Sequence, residues 1–262
     1  MTMLLAAIDD SDAARPVVEV AQRLARLLGA PLELVHVGDK GVGLVATEVA
    51  EAAGLPLGVR SGDVATVLIA EARERHPLAF VIGARGRHGG ASPAGHIALE
   101  LVQSLECPVV VVPPHAADRP LRRVLVAVEG DGESKTLRGL FERIGTRSTP
   151  DVIALHVLEP NDLPMFADSP ALEAEAFGRE FMTRVATGIV SDPAAVQLET
   201  RVGLAPDEMR EAVRELDADL VVMSWNRDLS KGRARLVREM LAEASVPLVL
   251  LPRDLGRASA AP

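Results

Sequence analysis

Residues 79–113 read AFVIGARGRHGGASPAGHIALELVQSLECPVVVVP, and the order of elements in this stretch decides the fold. Ala79 to Ile82 is a short apolar run closed by Gly83, with the length of a buried strand rather than a helix. Gly83, Gly86, Gly89, Gly90 and Gly95 follow, with Arg85, Arg87 and His88 among them. From His96 the apolar residues Ile97, Leu101, Val102 and Leu105 recur at helical spacing, so a helix is predicted to begin there. Val109 to Val112 supplies a second strand. Strand, glycine-rich loop, helix and strand in that order make a right-handed crossover between parallel strands. The loop then lies at a strand's carboxyl end and feeds a helix N-terminus, where free N–H groups and the helix dipole favour an anion. The pattern is that of a phosphate site; glycines that only permit tight surface turns would give the same letters.

The chain repeats itself. Leu4-Leu5-Ala6-Ala7-Ile8-Asp9-Asp10 returns as Val124-Leu125-Val126-Ala127-Val128-Glu129-Gly130, and Leu32 to Val37 returns as Val152 to Val157. Val59 to Asp63 is echoed by Thr200 to Leu204, Ala79 to Gly83 by Leu220 to Ser224, and Pro108 to Pro113 by Pro247 to Pro252. Strands alternate with helical stretches in each half, which argues for an α/β sheet with helices on both faces. In the first half, strands are predicted at 4–8, 32–37, 57–60, 79–82 and 109–112. Helices are predicted at about 13–29, 43–53, 63–75 and 95–105, the third capped by Asp63 and ended by Pro77. The second half follows suit, with a longer segment from Glu159 to Pro193 that holds a proline-rich loop and a helix near 171–187. Residues 113–120 read as a linker and 257–262 as a frayed tail.

Gly83-x-x-Gly86, a polar spacer, and Gly95 heading a helix that runs to Cys107, Pro108 and four valines resemble the universal stress protein family. Its nucleotide-binding members carry G-x2-G-x9-G-(S/T) here, the glycines and hydroxyl holding the phosphates of ATP. In this chain eight residues separate Gly86 from Gly95, and His96 stands at the hydroxyl position. The resemblance implies two flavodoxin-like or Rossmann-like α/β domains, at 1–114 and 121–256. Each would be a five-stranded parallel sheet of order 3-2-1-4-5. Ligands of such sheets bind outside the strands' carboxyl ends where the order switches, here between strands 1 and 4. The resemblance further implies ATP or another adenine nucleotide in the first half, with Mg2+ only as a companion of ATP. Asp9 would contact the nucleoside, Ala7 and Ile8 would wall the base, and the backbone of Val37 would read the adenine edge. Gly83, Arg85, Gly86, Gly95 and His96 would line the phosphates. Asp9 has a second reading, since Asp9, Asp10, Ser11 and Asp12 all precede a helix and any of them suits its N-cap. In the family the fifth strands of two domains pair. Val109–Val112 and Leu248–Leu251 are placed to pair within one chain, and a homodimer is a further expectation.

His36 and His156 hold the same place in the two repeats, which reads as a structural role rather than a catalytic one. His96 has two readings: a donor to phosphate in place of the lost hydroxyl, stronger when protonated, or a surface residue in the helix's first turn. The second half has lost the glycines, and Glu129 replaces the aspartate. Counting back from Pro247 sets Ala234 and Arg235 at the places of Gly95 and His96. Arg227, Lys231, Arg233, Arg235 and Arg238 there make either another anion site or an ionic surface paired with carboxylates. No ATP is expected in that half.

Composition narrows the partners. The 262 residues carry a net charge of −9, which argues against nucleic acid and anionic membranes. With no Tyr and one Trp, the core is aliphatic and bases find no aromatic platform. The single cysteine, Cys107, excludes an internal disulfide and suits a reducing cytoplasm; beside a proline and a core strand it reads as inert packing. No apolar run reaches the ~18 residues of a membrane span, and no metal-ligand spacing occurs. Three functions stay open at this point. The first is a cytoplasmic nucleotide-binding stress-response protein with at most slow ATP hydrolysis. The second is a scaffold that binds no nucleotide and acts by dimerisation and protein contacts. The third, weakest for want of a nucleophile–base pair, is an enzyme acting on an adenylate.

Overall fold

Short apolar runs become strands and the amphipathic stretches between them become helices, because each must bury one face or both against the other. The computed structural model describes residues 3–38, 43–84, 95–116, 119–128, 150–159, 196–228 and 234–253. The first half comprises β1 (Leu4–Ala7), α1 (Ala14–Leu28), β2 (Leu32–Val37), α2 (Leu44–Ala53) and β3 (Leu57–Arg60). It continues with α3 (Val64–Arg75), β4 (Ala79–Gly83), α4 (His96–Ser104) and β5 (Val109–Val112). The second half comprises β6 (Arg123–Ala127), β7 (Asp151–Leu158), β8 (Val196–Val202), α5 (Ala205–Glu215), β9 (Leu220–Trp225), α6 (Ala234–Glu243) and β10 (Leu248–Pro252). The helix expected near 171–187, the proline-rich loop before it and the tail from 257 lie outside the described residues.

The helices end where the sequence says they should. α1 buries Val17, Val20, Ala21 and Leu24, one stripe at helical spacing. It stops at Gly29, whose φ of 61° is a left-handed conformation that glycine adopts without cost. α3 starts on Asp63, whose Oδ2 accepts from the Thr66 N–H at 3.0 Å and the Thr66 hydroxyl at 2.7 Å. The Thr66 N–H and hydroxyl hold the Asp63 carboxyl below the usual carboxylate range, with a smaller pull from His96. A carboxyl with a lowered folded pKa stabilises the fold above its unfolded value, and that contribution is lost as pH falls through the folded value. Replacing Asp63 by Asn is therefore expected to remove part of the acid sensitivity of thermal unfolding. NMR titration should find the Asp63 carboxyl below free aspartate; a carboxyl titrating like the free residue would contradict the cap.

The strands form one ten-stranded sheet of order β3-β2-β1-β4-β5-β10-β9-β6-β7-β8. Each half thus runs 3-2-1-4-5, and within each half the neighbours are parallel. β5 and β10 join the halves antiparallel, Val110 opposite Val249, Val111 opposite Leu248 and Val109 opposite Leu250. Val110 and Val249 are equivalent in the repeats, each two residues past a proline, so a local two-fold axis passes between them. The pairing satisfies backbone groups that would otherwise form two open edges.

Alternation along the strands divides the core into two layers. Ala6, Val81, Val110, Val112, Val249 and Leu251 lie in the layer with α1 and α2. Leu5, Phe80, Ile82, Val109, Val111, Leu248 and Leu250 lie in the layer with α3, α4, α5 and α6. The entry to β6 is clamped by buried Asp219, whose Oδ2 accepts from the Arg122 and Arg123 N–H groups at 2.8 and 3.0 Å.

Candidate functional site

β1 and β4 are neighbours with Ala6 opposite Val81, so their carboxyl ends stand side by side at the usual strand spacing of about 4.8 Å. This is the switch point of the first half. Half-buried Ala7 closes β1. Ile8 is fixed from both sides: its N–H donates to the Val35 carbonyl at 3.0 Å, and its carbonyl lies 3.0 Å from His36 Nδ1. A carbonyl only accepts, so His36 carries its proton on Nδ1 and donates. His156 Nδ1 meets the Val128 carbonyl at 2.8 Å in the same way. The repeated histidines therefore tie the second strand of each half to the chain leaving the first, which is the structural role read from the sequence.

The acidic run after β1 divides its work. Asp9 Oδ1 accepts from the Ser11 hydroxyl at 2.6 Å, and Ser11 Oγ accepts from the Ala13 N–H at 3.3 Å. The N-cap of α1 is Ala13, which makes no side-chain cap. Asp10 turns instead to α2, its Oδ1 accepting from the Val45 and Ala46 N–H groups at 2.9 and 3.3 Å. Gly43 precedes α2 with φ −73°, a conformation open to any residue, but a Cβ there would fall 1.8 Å from the Asp10 carboxylate. A side chain at that point would push the Asp10 carboxylate off the start of α2. The sequence reading missed this contact because caps are usually local, and 35 residues separate Asp10 from Val45.

The base of the glycine loop is closed by two backbone bonds. The Ala84 N–H donates to the Val112 carbonyl at 2.8 Å, and the Gly95 N–H donates to the Ala84 carbonyl at 2.9 Å. Gly83 ends β4 and Gly95 sets the start of α4. Arg85 and Gly86 lie outside the described residues. Among the described residues no side chain caps α4, whereas α2 has Asp10 and α3 has Asp63. Gly95 has φ −59°, and a Cβ there would meet only the Ala84 carbonyl oxygen at 3.8 Å. Nothing in the described protein demands glycine at 95; a phosphate drawn against the backbone would. His96 is exposed at the first position of α4, close enough to Asp63 to be felt by its carboxylate. Val37 ends β2 opposite Arg60, at the same edge of the sheet. Among the described residues no three His, Cys, Asp or Glu side chains gather to hold a metal ion.

The second half differs at the equivalent positions. Val222 pairs with Val126 as Val81 pairs with Ala6, which sets Ser224 at the place of Gly83 and Trp225 at that of Ala84. Trp225 stands in the core as the last residue of β9, 1% exposed. Arg235, at the place of His96, donates from Nε to Glu239 Oε1 at 2.8 Å. That bond and the Glu239 charge, with Glu159 and Asp207 adding, raise its pKa. Arg227 lies 4.0 Å from Glu106 of the first half. For Arg227 and Arg235 the ionic-surface reading holds; Lys231 and Arg233 lie outside the described residues.

Cys107 packs against the layer beneath α4. Burial pushes its thiol up to about 12. The thiolate is the reactive form, so native protein at pH 8 is expected to react with a disulfide reagent far more slowly than the urea-unfolded chain. Equal rates would contradict the burial.

A family model described as the universal stress protein family matches residues 120–252. The chain belongs to the universal stress protein family. The match falls on the half that has lost the glycines. A universal stress protein from Archaeoglobus fulgidus is 17% identical with a TM-score of 0.67, over 96% of this chain and 98% of that one. A putative universal stress protein from Pseudomonas aeruginosa UCBPP-PA14 is 17% identical with a TM-score of 0.70, over 98% of this chain and 96% of that one. A protein of unknown function from Pseudomonas aeruginosa PAO1 is 17% identical with a TM-score of 0.68, over 98% and 95%. These likenesses speak to the fold. No curated protein matches the sequence. No helix among the described residues is long and apolar enough to cross a membrane.

Proposed function

We propose that this universal stress protein binds one adenine nucleotide, most naturally ATP, in its first half and acts in the stress response through its bound state, with little catalysis. The observation that carries the reading is an asymmetry at equivalent positions. The first half leaves the start of α4 without a side-chain cap among the described residues, joined through the Gly95 N–H to Ala84 next to Gly83. The second half has Ser224 in place of Gly83, the bulky Trp225 in place of Ala84, and Arg235, paired with Glu239, in place of His96.

In this reading the base lies against Ala7 and Ile8 and meets the backbone of Val37, and Asp9, steadied by Ser11, takes the ribose. Gly83, Arg85, Gly86 and Gly95 give the phosphates close backbone approach, and His96 donates where the family has a hydroxyl. Any Mg2+ arrives with the ATP phosphates. The cytoplasm is the compartment that suits a chain with one cysteine. A homodimer, if formed, needs a surface other than β5 and β10, which are already paired with each other.

Calorimetric titration of the intact chain with ATP tests the proposal. One site per chain is expected. Gly86→Val should abolish it by filling phosphate space, His96→Ser should retain it and His96→Ala should weaken it. Absence of saturable ATP binding would leave the nucleotide-free scaffold as the function.

A further inference from the structure

The seam between the repeats holds a second cluster of cations, apart from every residue of the nucleotide site. A cavity of about 590 Å³ opens between the C-terminal half of α1 and the chain entering β6 and β7. Arg23, Arg26 and Arg122 line it, with Leu27 and Leu121 as apolar wall and Asp151 as the single carboxylate. Its size is that of a small-molecule site.

Two of the three guanidiniums are uncommitted. Arg26 and Arg122 are exposed, and among the described residues neither has a carboxylate at ion-pair distance. Arg23 is held in place, donating from Nη1 to the Arg119 carbonyl at 2.7 Å, with Glu19 at 3.9 Å. The wall that presents Arg122 is fixed independently. Asp219 grips the Arg122 and Arg123 N–H groups, and Arg119 Nη1 donates to the Ala218 carbonyl at 3.0 Å. Between these clamps Leu121 is buried with φ 54°, a left-handed conformation that a bulky non-glycine residue adopts only when its surroundings force it. Such over-determined backbone gathers at ligand clamps. Three guanidiniums meet two carboxylates, Asp151 on the lining and Glu19 beside Arg23, which leaves the cavity positive by one charge in a chain of net charge −9.

We infer that this cavity is a binding site for a compact polyanion bearing linked phosphate groups, held by Arg23, Arg26 and Arg122 across the junction of the two repeats. Planar guanidinium forks match phosphate oxygens two at a time, which a point charge does not. Three guanidiniums carried on two walls can engage more oxygens of a diphosphate than of orthophosphate, so a diphosphate is favoured despite Asp151. Because α1 belongs to one repeat and Arg122 to the other, the bound anion would also tie the halves together.

Inorganic pyrophosphate is the probe, titrated calorimetrically into the full chain, with circular dichroism confirming the fold of each variant. Wild type is expected to bind it and to bind orthophosphate more weakly. Arg26→Ala and Arg122→Ala should each weaken pyrophosphate by roughly tenfold, the scale of a lost charge-assisted bond. Arg122→Lys should fall between wild type and Arg122→Ala, while ATP binding at the first half stays unchanged in all three. Gly86→Val should lose ATP and keep pyrophosphate. No pyrophosphate binding at millimolar concentration, or binding indifferent to both alanine variants, overturns the site. Binding lost in Gly86→Val but kept in the arginine variants would assign the anion to the glycine loop and overturn it equally.

Discussion

Val111→Asp is expected to cost about 3–5 kcal/mol, a large share of the chain's stability. Val111 is 2% exposed, pairs with Leu248 across the seam and stands next to Ile82 on its other side. Both strand neighbours are aliphatic and the layer is apolar, so a carboxylate there must either lose its charge or open the seam, and uncompensated charges in a core cost about 3–5 kcal/mol. A domain's whole stability is about 5–15 kcal/mol. Val59→Asp is the control: Val59 lies on the outer strand β3, 39% exposed, and the change should be mild. Urea denaturation of the two variants makes the comparison. Residues 1–114 and 121–256 are the units we take to be separable. Expressed alone, either is expected to self-associate through β5 or β10, and the two mixed should recombine. Stable monomeric halves and a harmless Val111→Asp would show that the seam carries no weight.

Trp225→Ala is the second large effect, expected at ~3–5 kcal/mol, the range for truncating a large buried aromatic. The indole is 1% exposed in the layer with α5 and α6, and it stands where the first half has Ala84. No neighbour can move to fill so large a void without disturbing β9 and β10. Trp225 is the chain's single tryptophan, so its emission should be that of a buried indole and should not respond to ATP bound in the other half. Red-shifted emission in the native protein, or a loss under 1 kcal/mol, would contradict its place in the core.

What the sequence made legible follows from what each residue needs. Strands buried on both faces must be unbroken apolar runs, and Val109–Val112 is such a run from end to end. Asp63 announced the start of α3, and Gly29 closed α1 one residue from the expected end, because caps and left-handed turns act on adjacent residues. The long-range choices were less open to reading. Asp10 looked like a cap for α1, its neighbour in sequence, and serves α2 through a contact that only the Gly43 glycine hints at. In the second half β9, the strand before the lost glycines, runs on by one residue relative to β4 and carries the Trp225 ring into the core. In the site itself, Ala7, Ile8, Asp9, Val37, Gly83, Gly95 and His96 are brought to one edge of the sheet, while Arg85 and Gly86 fall in the stretch outside the described residues.

The central claim is one nucleotide per chain, in the first half. Native mass spectrometry of the intact protein with ATP, followed by photo-crosslinking of a bound azido-ATP and peptide mapping, tests it most directly. The account predicts a single nucleotide mass added to the 27.7 kDa chain, with crosslinks confined to peptides before residue 114 and lost in Gly86→Val. Two nucleotides per chain, or crosslinks around Trp225 and Arg235, would contradict it.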